Sequence, residues 1–176
     1  MLVSAPLKLL LIARLKRAWA WACVVLLMLL SPYGGAARAA GEPPTTFGVT
    51  IGTALMCADQ IDPYYFWTYL NQYFGPPYKS EGGAHWFKVQ GTLWGAAITE
   101  VLVSDGFSQQ VFLAATFKDN PDKLSASIVD ATGMRYLKQT SAPFSPLVSS
   151  LGSKIIYFGQ SSKIYCAKYN LDFIRR

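Results

Sequence analysis

Apolar positions follow three different rhythms along the chain. Residues 18–30 are apolar without interruption. Between Tyr64 and Phe74 the rhythm is helical, with Phe66, Tyr69, Leu70 and Tyr73 on one face. From His85 onward short runs alternate between apolar and polar residues, which predicts strands.

The punctuation sharpens these elements. Asp62-Pro63 predicts a helix start, because Asp caps free N–H groups and Pro fits the first helical position. Gly75-Pro76-Pro77 stops that helix. A short helix over 54–60 carrying Cys57 is expected before it. Strands are expected over 85–89, with Gly91 in the turn that follows, over 93–103 and over 111–117. In the second of these, Ile98, Glu100 and Leu102 should share one face, and Thr99, Val101 and Val103 the other. Asp119-Asn120-Pro121-Asp122 starts another helix, running through Leu124 and Ile128 to Gly133. A short strand over 134–138, a Ser- and Pro-rich loop over 140–152, and strands over 154–158 and 163–169 complete the chain. Short connections favour antiparallel pairing. The expected fold is α+β, a two-layer sandwich with an antiparallel sheet of about five or six strands and two helices on one face. No internal repeat is evident in the sequence.

The uninterrupted run belongs to a different device. Lys8, Arg14, Lys16 and Arg17 precede it, and Pro32, Gly34, Gly35 and the small-residue pattern Ala37-Arg38-Ala39 follow. That order defines a secretory signal peptide. Thirteen apolar residues ending near a proline are too few to span a bilayer, which takes roughly 20. The expected organisation is a signal over 1–39, a flexible proline-containing lead over 40–52 and one domain over 53–176. Export changes the charge: of 16 basic residues, Lys8, Arg14, Lys16, Arg17 and Arg38 leave with the signal. The remaining 11 basic and 10 acidic residues give +1 instead of +6, and the case for a nucleic-acid partner disappears.

Cleavage also removes Cys23 and leaves Cys57 and Cys166, an even pair that an oxidising compartment should join as a disulfide. His85 is the only histidine, so neither a His-rich zinc site nor a Ser-His-Asp triad can be assembled beyond it. A Cys57–His85 nucleophile pair would require a reduced thiol. Asp59, Asp62, Asp119 and Asp122 stand near helix starts, where capping explains them. A glycan hydrolase would need two of the carboxylates as a pair, and nothing in the sequence selects which. No cofactor and no metal is expected.

The aromatic residues are the unusual feature. The first long helix carries seven, namely Tyr64, Tyr65, Phe66, Trp67, Tyr69, Tyr73 and Phe74, more than one helix face can bury. Tyr64, Tyr65 and Trp67 are therefore expected outside the buried stripe and are the candidate binding residues, unless loops or the lead cover them. The run Tyr73-Phe74-Gly75-Pro76-Pro77, followed by Trp86-Phe87, resembles a local pattern over roughly fifteen residues in two groups of exported modules. These are the small outer-membrane assembly lipoproteins and the β-lactamase-inhibitor-like proteins, although the lipid-attachment cysteine of the former is absent. The resemblance implies a binding role. The expected protein is thus exported, periplasmic or secreted, and a non-enzymatic protein-binding module of the bacterial cell envelope with an envelope protein as partner. An envelope hydrolase using a carboxylate pair and a small-ligand carrier are the alternatives.

Overall fold

The computed structural model describes residues 42–170, and the expected signal peptide lies outside them. Its architecture is α+β, with one eight-stranded antiparallel sheet and three helical segments. The first segment, α1, is a π-helical turn over Gly48–Gly52 continuing as α-helix over Thr53–Leu55. Helix α2 covers Pro63–Phe74 and α3 covers Pro121–Thr132. The strands are β1 (Lys79–Glu81), β2 (Ala84–Leu93), β3 (Ala96–Ser104), β4 (Gln110–Phe117), β5 (Tyr136–Lys138), β6 (Leu147–Ser149), β7 (Lys154–Phe158) and β8 (Ser161–Tyr169). They lie in the order β1-β2-β3-β4-β8-β7-β6-β5.

This corrects the expected sheet of five or six strands and the expected two helices. The additional strands β1 and β6 are three residues long, too short to display an alternating pattern. Strand β6 sits in the run read from sequence as a Ser- and Pro-rich loop. Ordered structure also begins before residue 53, because Phe47 and Ile51 are buried in the core.

Cross-strand register shows how the core is made. Phe87, Val101, Ala115, Ile164, Ile155 and Leu147 follow one another across six strands, all buried on one face. Ile51 and Leu55 of α1, Phe66 and Leu70 of α2, and Leu124 and Ile128 of α3 pack against that face in a single cluster. Extra residues in β2, between Lys88 and Gly91, and in β3, between Ile98 and Glu100, shift the register. The second bulge returns Ile98 to the core side with Val101 and Val103, which overturns the expectation that it faces away with Glu100 and Leu102. Gly91 lies inside β2, not in a turn. A Cβ there would collide with the Pro43 ring, so only glycine lets the N-terminal segment lie this close.

The two long helices reveal an internal repeat that the sequence reading missed. They start 58 positions apart, at 63 and 121, and each precedes four antiparallel strands. Asp62 and Asn120 cap them, Pro63 and Pro121 open them, and Gly75 and Gly133 end them. Phe66 and Leu70 stand 58 positions before Leu124 and Ile128. Only the skeleton of caps, stops and two core residues is shared, which is too sparse to stand out as similarity.

Two ties hold α1 to the sheet. Cys57 and Cys166 form a disulfide with their Cα atoms 5.2 Å apart, joining the end of α1 to β8. Ser153 Oγ donates to the Leu55 carbonyl at 2.6 Å and accepts from Tyr136 Oη at 3.0 Å, inside the core. On the opposite face Lys88 Nζ and Tyr78 Oη both donate to Glu100 Oε1 at 2.6 Å, and Lys88 lies over the Tyr78 ring. Burial alone would raise the Glu100 carboxyl, but these hydrogen bonds and the charges of Lys88 and Lys163 outweigh it and hold it below its ordinary value.

Two outcomes are expected. Replacing both cysteines by serine should lower stability by about 4 to 5 kcal/mol in the loop-entropy description, read as a lower urea midpoint. A lowered carboxyl stabilises the fold above its ordinary value of 4.5 and loses that contribution as pH falls through the folded value. Stability of Glu100→Gln should therefore decline less steeply below pH 4.5 than that of the parent, measured by urea unfolding across pH.

Candidate functional site

A cleft of about 590 Å³ opens where the start of α2 meets the ends of the central strands. Asp62, Pro63, Tyr64 and Trp67 form one wall. His85 at the start of β2, Ser104 to Phe107 after β3, and Asn170 after β8 form the other. Among these ten lining residues there is no lysine or arginine.

Helix geometry places the first wall. Asp62 Oδ1 accepts the Tyr64 and Tyr65 N–H groups at 2.9 and 3.1 Å, and Pro63 brings no N–H of its own. Tyr64 and Trp67, three positions apart, then share a helix face and look into the cleft. Tyr64 is 78% exposed, whereas Trp67 is half-buried against the core.

The second wall is a loop fastened at several points. The Asp105 N–H donates to the Gly83 carbonyl at 2.9 Å, and Asp105 Oδ1 accepts the Phe107 N–H at 3.0 Å. Asn170 Nδ2 donates to the carbonyls of Gly106 and Ser108 at 3.0 and 3.2 Å. Gly106 takes φ +79°, a conformation that other residues adopt only with strain, and a Cβ at this position would stand 3.6 Å from the Pro63 ring. The product is Phe107, 82% exposed on a loop that is nevertheless held in place.

The structure divides the three residues expected to bind. Tyr64 and Trp67 line the cleft, while Tyr65 does not. Tyr65 lies on another face of α2 with Tyr69 and Tyr73, its ring 6.5 Å from that of Tyr69, which is 4.9 Å from that of Tyr73. Burial raises the Tyr69 hydroxyl pKa against the lowering effect of its bond to Thr46.

Of the four carboxylates singled out in the sequence, only Asp62 lines the cleft, and it is joined there by Asp105. Asp119 pairs with Lys123 at 2.6 Å, Asp122 accepts from Tyr157 Oη at 3.1 Å, and Asp59 accepts the Gln60 N–H. The Cys57–His85 nucleophile pair is excluded: Cys57 is consumed in the disulfide, and Val103 and Leu113 stand between His85 and Cys166 on the sheet. His85 Nδ1 instead lies 2.8 Å from Ser80 Oγ. No group of three or more metal-ligating side chains occurs among the described residues.

Sequence reasoning missed Asp105, Phe107 and Asn170. Asp105-Gly106 directly follows the end of β3. The overlooked signal was an aromatic residue, Phe107, inside an otherwise polar turn.

The loop geometry yields a direct test. Asp105→Ala removes the acceptor of the Phe107 N–H at a cost of about 1 kcal/mol, so that amide should exchange roughly fivefold faster. Asp105→Asn keeps an acceptor oxygen in the same place and should leave the exchange rate near that of the parent, measured by hydrogen exchange with NMR detection.

No protein-family model, curated protein or solved structure matches this chain.

Proposed function

We propose that the protein is exported to the bacterial cell envelope, remaining in the periplasm or leaving the cell, and acts there as a non-enzymatic module that holds a protein partner at this cleft. The observation that carries the reading is the gathering of Tyr64, Trp67 and Phe107 around one concavity, with Tyr64 and Phe107 largely exposed. Large aromatic side chains bring contact area at low entropic cost, and a fastened loop has already lost the freedom that binding would otherwise remove. The disulfide supports an oxidising destination. Among the described residues no helix is long and apolar enough to cross a membrane.

One observation favours a second reading. Asp62 and Asp105 line the same cleft, as a hydrolase acting through a carboxylate pair requires. Both, however, already bind backbone N–H groups and have a structural reason to be there.

A photo-crosslinking phenylalanine analogue placed at position 107 or 64 should capture one and the same envelope protein in intact cells. The analogue at Leu137, 72% exposed on β5 at the far edge of the sheet, should capture none of it. Capture from Leu137 alone, or equally from all three positions, would remove the cleft from the reading. Release of fragments from cell-wall glycan by the parent but not by Asp105→Asn would establish the hydrolase instead.

A further inference from the structure

The lining of the cleft is selective in charge. Among the described residues it contains two carboxylates, three aromatic rings and the neutral groups of Ser104 and Asn170, beside His85, with neither lysine nor arginine. The ion pairs among the described residues join Lys79 to Glu81, Lys88 to Glu100 and Lys123 to Asp119, and none engages Asp62 or Asp105. Lys168, two positions before the lining residue Asn170, donates to the Asp59 carbonyl. A helix start ordinarily attracts anions. Here Asp62 already answers the first N–H groups of α2 and Pro63 has none, so an anion would meet a carboxylate in place of donors.

The molecule contains a filled version of the same combination elsewhere. On the opposite face of the sheet Lys88 Nζ lies 4.2 Å from the Tyr78 ring centroid and 2.6 Å from Glu100 Oε1, an ammonium between an aromatic face and a carboxylate. The cleft brings aromatic faces and carboxylates together in the same way, with no ammonium or guanidinium among its described lining residues.

We propose that the cleft receives the positively charged side chains of a basic segment of the partner, the ammonium or guanidinium settling between the carboxylates and the rings of Tyr64, Trp67 and Phe107. This rests on the cleft being the partner site. A volume of about 590 Å³ exceeds what a single side chain fills and suits a short peptide segment. Aromatic faces attract a cation through their quadrupole, and partial removal from water strengthens its attraction to the carboxylates.

The test is an NMR titration of the ¹⁵N-labelled, disulfide-bonded protein with the peptide acetyl-Gly-Lys-Gly-Lys-Gly-amide. The same peptide with acetylated lysines and a neutral chitin oligosaccharide are run beside it. At millimolar concentration the lysine peptide should shift the amide signals of Tyr64, Asp105 and Phe107, and the acetylated peptide should not. The double variant Asp62→Asn/Asp105→Asn keeps both backbone acceptors, because asparagine caps helices and turns as aspartate does, so the fold is preserved. Its affinity for the lysine peptide should fall at least tenfold.

No shift with the lysine peptide, equal shifts with the acetylated one, or unchanged affinity in the double variant would overturn the charge assignment. Those results would leave crosslinking from Phe107 intact, so a cleft with a different occupant would survive them. Shifts caused by the oligosaccharide alone would likewise replace the cation with a glycan. Failure of the crosslinks themselves would bring down the cleft as partner site and this inference with it.

Discussion

The eight residue pairs between β4 and β8, from Gln110 opposite Tyr169 to Phe117 opposite Ser162, join the two halves of the chain. Each half alone is a helix and four strands, two of them only three residues long on the second half, with two core side chains contributed by its long helix. Such a unit buries little, and pairing at the centre turns two marginal sheets into one with a continuous apolar row. The contact is distant in sequence, so closing it costs chain entropy, and the disulfide acts on the same central strand from the other side. The cleft depends on this pairing as well. Asn170 reaches Gly106 and Ser108 because β8 lies beside β4, and its backbone N–H also donates to the Gln109 carbonyl.

The repeat makes the specialisation of the first half visible. At the positions 58 residues beyond Tyr64 and Trp67 stand Asp122 and Ser125. Asp122 is hydrogen-bonded to Tyr157 Oη, and the neighbouring Asp119 is paired with Lys123. The polar groups around the second helix start are thus satisfied within the molecule. Around the first, aromatic rings stand exposed, and among the described residues the carboxylates have only backbone partners. The same structural module presents satisfied polar groups in one copy and exposed aromatic rings in the other.

What the sequence made legible follows from how local each cause is. Asp62-Pro63 and Gly75 delimit α2 through interactions within a few residues, and the observed helix covers the expected stretch. The Cys57–Cys166 bridge was readable because only two cysteines remain after the expected signal. Tyr64 and Trp67 were readable as surplus aromatics. Other features depend on non-local partners. Strand β6 exists through its pairing with β7 and β5, not through any pattern of its own. The bulge beside Ile98 is set by β4, and no window of β3 alone displays it. Asp105 and Phe107 join Asp62 and Tyr64 only when the β3–β4 loop folds against Pro63, more than forty residues away in the chain.

The shortness of β1 and β5 has a consequence of its own. These are the two edges of the sheet, where unpaired backbone groups invite strand addition from a neighbouring molecule. Each of these two strands is three residues long, and between them they carry Lys79, Glu81 and Lys138. A second chain would gain few backbone bonds there and would have to desolvate charges to form them. Neither β1 nor β5 is thereby an inviting template for strand addition, which matters in a protein that displays bare aromatic rings.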